Sequence, residues 1–275
     1  MRREPPVTSH GCDGTDTTRP TMARVYDYLL GGTNNYPADR EQAARITDPD
    51  EGYPDLAGIL RHNRQFIVRA VAWLAGGAGV PLDLMGAPVT QFIDAGAGLP
   101  THPSVHEAAL AAAHSARVAY VDNDRDVLAY LRRHTGPGVV AVGGDLRDPA
   151  AVLADKALRE VIDTGQPVCV ILGAVLHFLP APAAADVVAG YMGRLPSGSA
   201  AVITVCRYED EVLAARLAAS YKAGTWYNHS ADDVRAMFGP LRLVRGQVAD
   251  VRCWPMLPAD VQRDACTIGG LGIKP

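Results

Sequence analysis

Three short apolar segments of the chain end in residues able to hold a ligand. The first, Val89-Thr90-Gln91-Phe92-Ile93, leads into Asp94-Ala95-Gly96-Ala97-Gly98-Leu99-Pro100-Thr101. Glycines at 96 and 98 let the backbone approach a bound group, and a helix starting near Pro103 offers unpaired N–H groups to an anion. A strand-to-helix turn that merely needs small residues looks the same. The second segment ends in Val121-Asp122-Asn123-Asp124. A carboxylate at a strand tip can accept both hydroxyls of a ribose. Asp124 can cap the following helix by itself, which leaves Asp122 for a ligand. The third ends in Gly143-Gly144-Asp145-Leu146-Arg147-Asp148. Asp145 can accept an amine hydrogen from a purine while Leu146 packs on the ring; Asp148, before Pro149, suits a helix cap. A glycine turn, a ribose acid and an adenine acid in that order describe an adenosine-type pocket.

The spacing narrows the cofactor. A dinucleotide fingerprint wants a third glycine three residues after the second and an acid roughly 20 residues further on. Position 101 is Thr, and 28 residues separate Asp94 from Asp122. No Lys-Ser or Lys-Thr pair follows the glycines, which excludes a triphosphate-binding loop. A cofactor with a ribose and a short charged tail fits better, and S-adenosylmethionine is such a molecule. Transfer from a sulfonium asks the protein to position the acceptor and, where the acceptor is protonated, to remove its proton.

His177, in Ala174-Val175-Leu176-His177-Phe178 after a fourth apolar segment, is the candidate base, since imidazole takes a proton near neutral pH. A histidine packed under the pocket and hydrogen-bonded locally is the other reading. Asn63 lies on an apolar helical stripe with Arg64 beside it. A buried amide without a partner costs on the order of 1–3 kcal/mol. Asn63 therefore either ties its helix to the GGTNNY loop (31–36) or meets a ligand, with Arg64 taking the cofactor carboxylate. Near that loop, Tyr36 and Arg40 are the candidates to cover the cofactor and shape the acceptor pocket. His102 and His106 lack a carboxylate partner, so no metal site is expected.

The elements that must position these residues are legible in the periodicity. Residues 1–20 are polar and read as a disordered tail. Thr21 can cap a helix through Leu30 that Gly31-Gly32 stops, and a second helix starts near Pro37. A third carries Leu56, Ile59, Leu60, Asn63, Phe66, Ile67, Ala70, Val71 and Leu74 at spacings of three and four, ending at Gly76-Gly77. After Pro88 short apolar runs (89–96, 116–122, 139–145, 167–176, 199–207) alternate with helices near 103–113, 125–134, 149–163 and 183–194. Runs this apolar suit strands buried on both faces of a parallel sheet, with right-handed crossovers. A helix over 209–222 and a short one capped by Ser230 and Asp233 follow. Runs 241–254 and 264–275, with no long helix between them, form an antiparallel pair. The expected domains are a tail (1–20), a helical cap (21–87) and a cofactor-binding domain (88–275).

Composition excludes several classes. With 26 basic and 30 acidic residues the net charge is −4, which offers no electrostatic attraction to nucleic acid or an anionic membrane. Hydrophobic residues make up 48% of the chain, so global disorder is excluded. No apolar run reaches the roughly 18–20 residues that span a bilayer, and the opening residues lack the apolar stretch of a secretory signal. Cys12, Cys169, Cys206, Cys253 and Cys266 are widely spaced and form no CxxC pair. Neither a disulfide framework nor a zinc site is expected, and a cytoplasmic location is.

The sequence resembles the class I S-adenosylmethionine-dependent methyltransferases. More narrowly, it is similar to the actinobacterial S-adenosyl methyltransferase family formerly catalogued as a domain of unknown function. The matching pieces include ARVYDYLLGGTNNYPADRE (23–41), HNRQFIVRAV (62–71), QFIDAGAGLPT (91–101), ARVAYVDND (116–124), GGDLRDP (143–149) and AVLHFLP (174–180). The resemblance covers residues 21–275 and departs only at Ala95 and Ala97, where the family more often has a β-branched residue and Thr. It implies an α/β, Rossmann-like sheet of five parallel strands plus a C-terminal antiparallel pair, and S-adenosylmethionine as cofactor. From the general methyltransferase pattern it places Gly96 and Gly98 toward the methionine portion and Asp122 at the ribose, with Asp94 also among the cofactor-binding residues. Asn123 then flanks the adenine, Asp145 and Leu146 hold its edge, and Ala174 lies under the sulfonium. The expected partner is a small-molecule methyl acceptor, with no nucleic acid and no membrane. A non-catalytic cofactor-binding regulator and a nicotinamide-dependent oxidoreductase are the alternatives.

Overall fold

The computed structural model describes residues 15–76, 85–252, 254 and 265–275. Helix α1 (Met22–Leu29) starts at Thr21, whose hydroxyl accepts the Arg24 N–H, and ends before Gly31 at φ +84°. Helix α2 (Pro37–Arg45) has proline in its first turn, and Asp39 reaches back to accept the Tyr36 N–H at 2.8 Å. Helix α3 (Leu56–Gly76) buries the expected stripe, Asn63 included. Gly77, the second residue of its expected stop, lies outside the described residues.

Five strands run parallel: β1 (Gln91–Ala95), β2 (Arg117–Asp122), β3 (Val139–Gly143), β4 (Cys169–Gly173) and β5 (Ala200–Tyr208). Helices α4 (Val105–Ala112), α5 (Arg125–His134) and α8 (Ala181–Arg194) lie among the crossovers. The expected helix over 149–163 is two, α6 (Pro149–Ala154) and α7 (Lys156–Val161). The break falls at Asp155, whose carboxylate leaves the helical pattern to cap α7 at the Leu158 N–H. Helices α9 (Glu211–Ser220) and α10 (Ala231–Met237) follow, the latter with its Ser230–Asp233 capping box.

Strand β8 (Ala265–Ile273) runs antiparallel to β5 over nine residues, giving the order β3-β2-β1-β4-β5-β8 and, at the edge, β6 (Arg242–Leu243). The run 241–254 is not one strand. It gives two short ones, β6 (Arg242–Leu243) and β7 (Ala249–Asp250), both antiparallel to β8. Leu243 pairs with Gly272 and Ala249 with Gly269. Five residues on one side thus lie opposite two on the other, and the surplus loops out through a turn where Arg245 takes φ +57°.

Alternate residues of each strand serve opposite faces. Phe92, Val118, Tyr120 and Ile171 pack against α3, α4 and α5; Ile93, Val121, Val170 and Ile203 pack against α6, α7, α8 and α10. Within the stretch expected as a cap, α3 is thus a layer of the sheet, while α1 and α2 share a third apolar cluster with α9. Each large side chain buried this way, such as Phe66 or Leu74, contributes about 1.5–3 kcal/mol.

Candidate functional site

The carboxyl ends of β1 and β4, where the strand order reverses, border a cavity of about 840 Å³. Gly96 and Gly98 line it with φ of +77° and +60°. A Cβ on Gly96 would sit 2.7 Å from Val175 Cγ2 and 3.2 Å from Leu146 Cδ2, so this turn has room only for hydrogen. Asp122 braces the same turn: Oδ2 accepts the Gly98 N–H at 2.8 Å and Oδ1 the Asp124 N–H at 2.9 Å. Asp124 caps α5, as expected. Asp122 thus holds two backbone amides while lining the cavity, and each oxygen keeps capacity for one further donor. Asn123 is exposed at the cavity's edge.

Asp145 departs further from expectation. Arg147 holds it through Nε to both oxygens at 2.9 Å and through Nη2 to Oδ2 at 2.5 Å. The pairing keeps the Asp145 carboxyl below the usual carboxylate range. A guanidinium two residues along the same turn reaches the carboxylate first, so the purine-edge acceptor is not open as the motif alone implied.

Asp94 and Arg64 form the opposite case. Asp94 is 5% exposed, and burial pushes its carboxyl up to about 7 against the pull of Arg64, with Asp122 adding to the rise. Arg64 makes one long contact, Nη2 to the Pro103 carbonyl at 3.5 Å, and its Nε is buried without a partner. Both line the cavity. An acid and a guanidinium with unmet hydrogen bonds can together hold a zwitterion, ammonium to one and carboxylate to the other.

The N-terminal helices reach the cavity through residues that the motifs did not single out. Arg24 is buried, donating to Asp39 at 2.9 Å, to Asp126 at 3.1 Å and to the carbonyls of Asp16 and Arg19. Thr15 also donates to Asp126 at 2.5 Å, so residues 15–20, expected as part of a disordered tail, are pinned at the cavity. Tyr36 and Arg40 do not line it. The Tyr36 ring lies under the Arg24 guanidinium at 5.2 Å, and Arg40 donates to the carbonyl and side-chain oxygens of Asn35. The loop they belong to wraps around buried Asp27, which accepts from the Asn34 N–H and the Asn35 amide. Arg40 and Asn35 thus hold the turn, and neither Tyr36 nor Arg40 is at the cavity where a cofactor would be covered.

Asn63 does line the cavity, and its Nδ2 donates to the Tyr26 hydroxyl at 3.2 Å rather than to the 31–36 loop. Its Oδ1 is buried without a partner. Beyond this pair the lining becomes apolar, with Leu56, Leu60, Phe178, Leu217, Tyr221 and Trp226. His177 is here too, but not as a base. Its Nδ1 accepts the Cys206 N–H at 3.3 Å, so the neutral ring carries its proton on Nε2. Burial, with His229 adding to it, pushes the imidazole down to about 3. A ring that cannot ionise near neutral pH and whose lone pair is already engaged packs the wall, which corrects the general-base expectation. Ala174, at the end of β4, takes φ +53°. Its N–H donates to Thr204 O and Oγ1 at 3.0 and 2.9 Å. A left-handed alanine costs on the order of 1–3 kcal/mol, and the Thr204 bonds hold it there.

A model of the S-adenosyl methyltransferase family matches residues 9–275. The chain belongs to the S-adenosyl methyltransferase family. It is 32% identical to a candidate methyltransferase from Thermobifida fusca YX, over 95% of this chain and 97% of that one, with a TM-score of 0.82. A DUF574 family protein from Streptomyces avermitilis MA-4680 is also 32% identical, over 94% and 99%, with a TM-score of 0.81. Magnesium protoporphyrin IX methyltransferase from Synechocystis PCC 6803, solved with bound SAH, is 14% identical over 91% and 98% with a TM-score of 0.50, a likeness of fold alone. Curated proteins return no match.

Membership sets the cofactor of this methyltransferase as S-adenosylmethionine, and the nicotinamide alternative falls. The chain's residues fit that group. Gly96 and Gly98 bring a turn with φ above zero to the cavity wall, and the Arg64 Nε there is buried without a partner, as a group that meets a carboxylate would be. Among the described residues no helix is long and apolar enough to cross a membrane. The lining residues that motif reading missed are Arg24, Tyr26, Phe178, Tyr221 and Trp226. Tyr26 had a signal, the spacing of Met22, Val25, Tyr26 and Leu29 along one helical stripe; Phe178, Tyr221 and Trp226 lie on separate elements and had none.

Proposed function

We propose that this methyltransferase acts on a small-molecule acceptor, binding the cofactor at the polar end of one cavity and the acceptor at the apolar end. The observation that carries the proposal is the Asp94–Arg64 pair, an unmatched acid and guanidinium in the wall where the two ends meet. Asp94 would take the methionine ammonium and Arg64 its carboxylate, Asp122 the ribose hydroxyls, and Leu146 a face of the adenine. Asp145 would meet the adenine amine once Arg147 swings away. When bound, the cofactor supplies an electrophilic methyl group on a sulfonium.

The chain positions the acceptor, and His177 is not the group that would take a proton from it, because its Nδ1 lone pair is engaged by the Cys206 N–H. The cavity volume is that of a small-molecule site. Among the described residues its wall carries six carboxylates against four guanidinium groups, a balance unsuited to a polyanion. We place the protein in the cytoplasm, where Cys169 and Cys206 stay as thiols.

Calorimetric titration with S-adenosylhomocysteine tests the polar end. Micromolar binding is expected for the wild type. It should fall at least tenfold, about 1.4 kcal/mol, in Arg64→Gln and in Gly96→Ala. Folded wild type that binds no S-adenosylhomocysteine would overturn the reading.

A further inference from the structure

The apolar end of the cavity is lined by Leu56, Leu60, Phe178, Leu217, Tyr221 and Trp226, which all belong to one apolar cluster. It rests on the apolar cluster that joins α1, α2, α3, β5 and α9. Its wall is aromatic. Phe178 and Tyr221 lie nearly parallel, their ring centroids 5.9 Å apart and 22° between planes. His177, 4.3 Å from Phe178 and 6.5 Å from Trp226, completes the surface as a neutral ring. Such a wall favours a flat ring over a saturated one by stacking and edge contacts, and it penalises a charge, which would be desolvated without a partner.

Where this wall meets the polar end stand two groups with complementary needs. The Tyr26 hydroxyl accepts from Asn63 Nδ2 and keeps its own proton to donate, burial holding the phenol above its usual range. Asn63 Oδ1, in a side chain 1% exposed, has no donor. Tyr26 and Asn63 line the same cavity as Asp94 and Arg64, and Asn63 is the neighbour of Arg64 on α3. A ligand hydroxyl both donates and accepts, so it answers both groups; a carboxylate would face Asn63 Oδ1 with a second acceptor.

We propose that the acceptor is a neutral, flat aromatic molecule bearing a hydroxyl, its ring against Phe178, Tyr221 and Trp226 and its hydroxyl at Asn63 Oδ1 and the Tyr26 hydroxyl. This rests on the methyl-transfer reading and adds the substrate class to it. In the transfer a hydroxyl lone pair forms the new carbon–oxygen bond and the carbon–sulfur pair stays with sulfur. The hydroxyl proton, which an amide oxygen accepts only as a hydrogen bond, leaves to water.

The probes are 2-naphthol, naphthalene, cyclohexanol and 2-naphthoate, titrated into the full chain saturated with S-adenosylhomocysteine. The expected result is 2-naphthol binding at least tenfold more tightly than cyclohexanol or 2-naphthoate. Phe178→Leu should weaken 2-naphthol at least fivefold. Asn63→Leu should weaken 2-naphthol by a similar factor and leave naphthalene unchanged. Both variants should keep wild-type affinity for S-adenosylhomocysteine, which shows that they are folded. Wild type that binds S-adenosylhomocysteine but takes cyclohexanol or 2-naphthoate as tightly as 2-naphthol overturns this inference and leaves methyl transfer standing. Wild type that does not bind S-adenosylhomocysteine overturns the methyl-transfer reading first.

Discussion

At the scale of single residues, Asp94 is where pH enters. Its carboxyl is pushed up to about 7 in the folded chain, whereas an unfolded aspartate ionises near 4. Below about pH 4 both states hold the proton. Between about 4 and 7 the unfolded chain has lost it and the folded chain has not, so stability falls as pH rises, levelling above about 7. A displacement of this size implies a change on the order of 4 kcal/mol. Urea unfolding across that window should therefore show Asp94→Asn gaining on the wild type as pH rises; parallel curves would contradict the assignment. Cofactor binding runs the other way, because an ammonium prefers the ionised acid. S-adenosylhomocysteine affinity should rise through about pH 7 in the wild type and stay flat in Asp94→Asn. Asp94, Gly96 and Gly98 were legible because their demands are local, a strand end and a turn with φ above zero. The Asp145–Arg147 pairing was not, since two residues' separation says nothing of which way two flexible side chains turn.

At the scale of elements, the 23–41 motif works as a scaffold. Asp27 organises the loop after α1, and a Cβ on Gly32 would fall 2.1 Å from its carboxylate, which explains the second glycine. Asp39 accepts the Thr21 and Tyr36 N–H groups and pairs with Arg24, binding the start of α1 to the start of α2. Arg24 and Asp39 are both almost fully buried. Removing the cation strands the acid, a loss on the order of 3–5 kcal/mol. Arg24→Met should lower stability by about that amount in urea unfolding and also weaken S-adenosylhomocysteine, since Asp126 and residues 15–20 lose their tie. Arg24→Lys should restore little, because one ammonium lacks the planar fork that reaches Asp39 and Asp126 together. Helix bounds here matched the periodicity closely. What the pattern could not convey is that Tyr36 and Arg40 are consumed by the turn while Tyr26 faces the cavity.

At the scale of the whole molecule, β8 completes the sheet by lying between β5 and β6. Its Lys274 ammonium ties the chain end to the carbonyls of Met192 and Leu195 at 2.8 and 2.6 Å. Gly269 shows how tightly that strand is fitted. A Cβ there would lie 2.1 Å from the Ile203 carbonyl oxygen and 2.9 Å from Thr204 Cα, both backbone atoms that cannot rotate aside. Gly269→Ala should cost at least about 3 kcal/mol, measured by urea unfolding or seen as loss of soluble protein. An alanine variant within 1 kcal/mol of wild type would mean that the strand sits more loosely than this packing shows.

The amino-acid sequence by itself determined the alternation of strands and helices, the antiparallel ending, and the order glycine turn, second strand-end acid, third strand-end acid. Those follow from hydrophobic period and from backbone chemistry that acts within a few residues. Tertiary structure alone decided which groups remain unsatisfied. Arg64 Nε and Asn63 Oδ1 lack partners because of what α3 packs beside, and His177 is neutral because burial, with His229 adding to it, disfavours its charge, while the Cys206 amide reaches its Nδ1 across 29 positions of the chain. The aromatic wall likewise draws on positions 178, 221 and 226, brought together only when α9 and the segment after it fold back over β5. Hydrogen-bond satisfaction and desolvation depend on neighbours in space, and no local pattern encodes them.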